Sequence, residues 1–103
     1  MTGYALHPEA RFDLDKIWEF IRADNLDAAD RMIAEILAAI AALVPFPAQG
    51  HRRPDLTSRP LRFILVREYL IAYAPEEEPL WVIAVMHGRR NPRVMAAILR
   101  GRE

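Results

Sequence analysis

The chain has no cysteine, which excludes a disulfide framework and a thiolate metal site and fits a reducing cytoplasm. No apolar run approaches the roughly 20 residues that would span a bilayer. Met1 to Leu6 is broken by His7-Pro8-Glu9 too early to form a signal peptide. The expectation is a soluble, cytoplasmic protein without membrane attachment. Familiar catalytic signatures are also missing: no phosphate-cradling glycine loop, no Gly-x-Ser-x-Gly, no helical His pair for zinc and no acidic calcium loop. His7, His51 and His87 stand at spacings that suggest no metal site, and neither metal nor cofactor is expected. There is no internal repeat and no low-complexity tract. At 103 residues and 52% hydrophobic, residues 1–103 form one domain with material for a single core.

Lysine is scarce too. Of the fourteen basic residues all but Lys16 are arginine, the side chain suited to bidentate contact with carboxylate or phosphate. The formal net charge of zero hides a split. Residues 1–50 hold four basic and eight acidic side chains, a balance of −4, and residues 51–103 hold ten against six, a balance of +4. Such asymmetry marks a half that meets a polyanion or an acidic partner.

The chain is organised around Leu80-Trp81-Val82-Ile83-Ala84-Val85-Met86, followed at once by His87-Gly88-Arg89-Arg90-Asn91-Pro92. Seven unbroken apolar residues between Pro79 and Gly88 read as a strand covered on both faces and central in its sheet. Its polar carboxyl end is the place to seek function. Upstream, Tyr4 to Leu6 is a short strand, with His7 a turn residue and Pro8 opening a helix. Ala10, Leu14, Ile17, Trp18 and Ile21 form one face of that helix. Phe12 and Phe20 fall off the stripe and are expected at the edge of the core, the alternative being a partner-binding patch.

Asn25 or Asp27 caps a second helix from Ala28 to Val44, with Ala29, Ile33, Ile36, Ile40 and Leu43 inward. The short gap makes the pair an antiparallel hairpin. Pro45 and Pro47 stop the second helix. The irregular segment Pro47–Pro60 follows, with His51, Arg52, Arg53 and Arg59 giving it a basic character. Strands Leu61–Arg67 and Tyr69–Ala74 come next, joined at Arg67-Glu68 by a turn without Gly or Asn, so its type is not fixed. Glu76 to Glu78 read as a solvated turn. Pro92 to Arg100 is a short helix with Val94, Met95, Ile98 and Leu99 as its apolar side. The fold class is α+β, in the order β-α-α-β-β-β with a short C-terminal helix on a mainly antiparallel sheet.

His87 with Arg89, Arg90 and Arg93 is the best local cluster. A histidine moves a proton near neutral pH, and arginines hold phosphate or developing negative charge. Arg62 and Arg67 on an adjoining strand, with Tyr69 and Tyr73, are candidates to join it. The set suits an RNA-cleaving site or a docking surface for acidic peptides, and residue types alone favour binding.

In its order of elements the chain resembles the RelE/ParE superfamily of bacterial type II toxins over nearly its whole length. The resemblance is carried by Pro8-Glu9-Ala10, Asp13-Leu14 with Ile17 and Phe20-Ile21, Ala28-Ala29-Asp30-Arg31, and Phe46-Pro47 with Gly50. Arg53-Pro54-Asp55-Leu56, Tyr69-Leu70-Ile71-Ala72-Tyr73 and Val85 to Asn91 complete it. It implies a toxin neutralised by a cognate antitoxin, ParD-like or similar, as a hetero-oligomer. ParE-like members poison DNA gyrase, whereas RelE-like members cut messenger RNA on the ribosome with a basic, often lysine-bearing cluster and a late tyrosine or histidine. Here Lys16 is the sole lysine and no tyrosine follows Tyr73. The resemblance therefore points to the ParE-like, non-enzymatic branch. The alternatives are a ribonuclease using His87, Arg62, Arg89 and Arg90, and an inactive interaction module. The expected antitoxin- or target-binding residues are Arg62, Arg67, Tyr73, His87, Arg89, Arg90 and Arg93, with aromatic contacts at Trp18 and Phe20.

Overall fold

The computed structural model describes residues 3–102. Strand β1 (Tyr4–Leu6) leads into helices α1 (Pro8–Arg22) and α2 (Leu26–Leu43). A 3-10 turn at Pro47–Gln49 and an irregular stretch follow, then β2 (Arg62–Val66), β3 (Tyr69–Ala74), β4 (Leu80–His87) and helix α3 (Pro92–Arg100). The architecture is the expected α+β one. No helix of the described residues is long and apolar enough to cross a membrane.

Local signals set the helix starts. His7 is more than a turn residue: its Nδ1 accepts from the Glu9 N–H at 3.0 Å, capping α1, with Pro8 at the first position. Asn25 caps α2 in the same way, accepting from the Ala28 N–H at 3.0 Å. Ala10 and Leu14 of α1 are buried, and Ile17 and Ile21 pack at the edge of the same core. On α2 the buried stripe is Ala29, Met32, Ile36, Ile40 and Leu43. Met32 takes the place expected for Ile33, which is only half-buried. Between the helices, the Trp18 Nε1–H donates to Asp30 at 2.8 Å and the Arg22 guanidinium lies over the Trp18 ring. Trp18 therefore serves the hairpin.

The sheet runs in the order β1-β4-β3-β2, with β1 parallel to β4 and the other pairs antiparallel. β4 is an interior strand, as its unbroken apolar run requires. The ladder slips between β3 and β4: Ala72 pairs with Ala84 but Tyr73 with Val82, leaving Ile83 as an extra residue. This bulge reverses the alternation. Val82 and Val85, three apart, both face the helical hairpin, whereas Ile83, Ala84 and Met86 face the opposite side. There a second core forms from Met95 and Leu99 of α3 with Leu56, Leu61 and Phe63. Covering both faces of β3 and β4 thus takes α3 and the irregular segment as well as the hairpin. Val94, expected on the apolar side of α3, is exposed instead, because Met95 and Leu99 set the inward direction.

The basic irregular segment is largely spent on the fold. Arg53 makes a bidentate pair with Asp55 at 2.9 and 2.8 Å. Arg59 reaches the last turn of α3, donating to the carbonyls of Leu99 at 3.0 Å and Arg102 at 2.6 Å, where a cation complements the helix dipole. Tyr73 locks the segment's start. Its hydroxyl donates to the Pro47 carbonyl at 2.7 Å and accepts from the Gly50 N–H at 2.9 Å. A Cβ on Gly50 would stand 2.5 Å from that hydroxyl, so the close approach requires glycine.

The rim and grooves at the end of the central strand

β4 delivers His87 to the end of the sheet, directly opposite Tyr69 of β3. The two rings meet edge-on with centroids 5.7 Å apart. His87 Nδ1 accepts from the Arg89 N–H at 3.2 Å, folding the turn back on the strand end, and Nε2 lies 3.8 Å from the Glu68 carboxylate. The Tyr69 phenol is pushed above its ordinary value by burial, with the Glu68 charge adding to the effect.

Two open hollows flank this strand end. One of about 450 Å³ lies between α1, the end of β4 and the C-terminal segment, lined by Lys16, Ile17, Phe20, Tyr69, His87, Arg90 and Ile98 among others. The second, about 440 Å³, lies between the two helices and the β2–β3 turn, with Ile21, Arg31, Met32, Glu35 and Arg67 in its wall. Phe20 lines both hollows and is 78% exposed. The expectation of Phe20, and of Phe12 at 52% exposure, at the core edge is overturned. Both project off the Ala10–Leu14–Ile17–Ile21 stripe, past the rim that the sheet can cover. Phe12 instead takes the Lys16 ammonium 4.7 Å above its ring.

The structure gathers only part of the basic set at this rim. His87 ends β4, Arg89 and Arg90 follow in the turn after it, and Arg93 comes on the first turn of α3. Arg67 occupies the β2–β3 turn beside the second hollow, with a left-handed φ of 54°. Its guanidinium grips Glu35 at 2.6 and 2.9 Å. The hydrogen bond to Arg67 chiefly holds the Glu35 carboxyl below its ordinary value. Arg62 stands at the other end of β2, about 13 Å of strand away from Val66, and donates to the Gly50 carbonyl at 2.8 Å. Tyr73 pairs with Arg62 at that far end and is fully buried, so neither joins His87. Burial raises the Tyr73 phenol, against the opposing pull of the Gly50 hydrogen bond and the Arg62 charge.

Sequence reasoning missed Lys16 and Arg31 as neighbours of Phe20. The signal was present on α1: Asp13, Lys16, Ile17 and Phe20 recur at helical spacing and all line the first hollow. Arg31 carried no such signal, because only the packing of α2 against α1 brings it there.

Comparison with known proteins agrees with this architecture. A family model described as ParE toxin of type II toxin-antitoxin system, parDE, matches residues 4–92. The chain is also 34% identical over 89 residues to "Putative toxin Y4kP" of Sinorhizobium fredii (strain NBRC 101917 / NGR234), the match covering 80% of this chain and 84% of that relative. With β1 through the start of α3 inside the matched region, and the strand-end rim inside it too, this chain belongs to the ParE toxin family of type II toxin–antitoxin systems.

Proposed function

We propose that this protein acts in the cytoplasm as a ParE-like toxin that poisons DNA gyrase, and that a cognate antitoxin silences it by occupying the two hollows around Phe20. The observation that carries the docking surface is Phe20 itself. A phenylalanine 78% exposed between two hollows offers an apolar anchor, and with Asp13 and Glu35 paired to Arg102 and Arg67 the walls keep Lys16, Arg31 and Arg90 against Glu68, an excess of positive charge. An acidic, amphipathic segment matches both. A segment that orders on binding must bury apolar surface to offset its lost entropy, and Phe20, Ile17, Ile21 and Ile98 supply it.

The separation of the basic groups supports a non-enzymatic toxin over the ribonuclease reading. A cleaving site needs its acid or base and its charge-stabilising cations converging on one phosphate. Arg62 lies at the opposite end of its strand, spent on a carbonyl, so of the four groups that reading calls on only His87, Arg89 and Arg90 share the rim, with Lys16 across the first hollow. Expression of the chain without its antitoxin should arrest growth and induce DNA-damage signalling, with gyrase–DNA cleavage complexes accumulating in vitro. Codon-positioned cuts in translated messages, lost in His87→Ala, would overturn the gyrase reading. Undisturbed growth would remove toxicity altogether.

A further inference from the structure

Helix α3 faces two ways. Met95 and Leu99 are buried in the second core, whereas Arg93, Val94, Ala97 and Arg100 are exposed. Arg93 and Arg100 are two turns apart and so share one face, about 11 Å apart along the axis. Arg89 is exposed in the turn just before the helix. No acidic residue occurs from Pro79 to Arg102, and none of these three guanidinium groups has a carboxylate partner among the described residues. This contrasts with Arg53, Arg59, Arg62, Arg67 and Arg102, all of them bonded within the fold.

We infer that Arg89, Arg93 and Arg100 form a binding face for the phosphate backbone of duplex nucleic acid. It is separate from the antitoxin groove and independent of whether gyrase is the target. Three observations select this occupant. Every charge on the face is cationic, and Val94 is its one large apolar side chain, too little apolar surface to repay the folding of a protein segment. It carries no aromatic ring for the base stacking that single strands use. The apolar side of α3 is packed against the sheet, so the helix has no free face to lay into a lipid interface. What is left is two guanidinium groups on one helix face and a third in the turn before it, all suited to phosphate, the helical pair spanning about three phosphates of one duplex strand.

The test uses the full chain released from its antitoxin and a fluorescein-labelled DNA duplex of about 20 bp, read by anisotropy. Three phosphate contacts predict an affinity that falls about 40-fold between 50 and 200 mM salt; Arg93→Ala/Arg100→Ala should bind more weakly and fall only about 3- to 4-fold. The exposed positions leave the fold intact, which circular dichroism checks. An undetectable duplex complex at 50 mM salt, or one unchanged by the double substitution, would overturn the inference. So would tighter binding of a single strand of equal length, or loss in the variant of poly-glutamate binding alone.

Discussion

Asp13 and Arg102, 89 positions apart in the chain, form a bidentate ion pair at 2.5 and 3.0 Å against the side of β4. β1 pairs with β4 only as far as Val82, so beyond it one edge of the central strand is open. The pair closes that edge. Asp13 accepts from the Val85 N–H at 3.0 Å and Arg102 donates to the Ile83 carbonyl at 3.2 Å, the backbone groups beside the bulge. Helix α1, the central strand and the end of the chain are thereby tied at one point, and a polar edge is satisfied without another strand.

Removing either partner leaves a largely buried charge and an unpaired backbone group. Asp13→Ala and Arg102→Ala should each lower stability by about 3 kcal/mol, seen as a lower urea midpoint at unchanged slope. The double variant should lose far less than the sum, because the two side chains act as one unit.

Tyr73→Phe keeps the ring but strands the Gly50 N–H and the Pro47 carbonyl, a loss of about 1 to 3 kcal/mol. The raised phenol also sets a sign for alkaline pH. The folded state holds the proton more tightly than the unfolded one, so this contribution is complete below the ordinary value of 10.0. It is lost as pH rises through the raised folded value. Unfolding midpoints measured from pH 8 upward should decline once pH passes 10.0 and decline less in Tyr73→Phe, with Tyr69 supplying the remaining slope in the same direction.

Phe20 separates stability from binding. Its ring is mostly in water, so Phe20→Ser should change unfolding free energy by no more than about 0.5 kcal/mol. Affinity for the antitoxin should fall about 30-fold, the cost of losing an aromatic anchor worth about 2 kcal/mol. Calorimetric titration of the isolated pair reads this directly. An unchanged affinity would move the docking surface elsewhere.

Arg67 sits at positive φ without being glycine, a strain of about 1 kcal/mol, and holds Glu35 in an exposed pair that solvent screens. Arg67→Gly should therefore leave the urea midpoint close to the parent's, the relief and the lost pair offsetting. Arg67→Val, with a branched Cβ in the same conformation and no pair, should unfold at a lower urea midpoint than either. The acid dependence changes as well. The depressed Glu35 carboxyl contributes stability above its ordinary value of 4.5, lost as pH falls through the folded value. That component should vanish in both variants, as chemical denaturation from pH 7 down to 3 would show.

Much of the scaffold is written locally. Pro8, Asn25, Pro45 and Pro92 mark where helices begin or stop, and the run Leu80–Met86 declares an interior strand, because these signals act over a few residues. Local pattern also fixed which residue types could form a rim after β4. What each arginine does was decided only by packing. Arg62, Arg67, Arg59 and Arg102 find acceptors 12, 32, 40 and 89 positions away, whereas Arg89, Arg93 and Arg100 meet no acid at all among the described residues. A guanidinium carries the same charge in every case. Its role depends on which distant oxygen the fold brings within 3 Å, and no spacing along the chain encodes that.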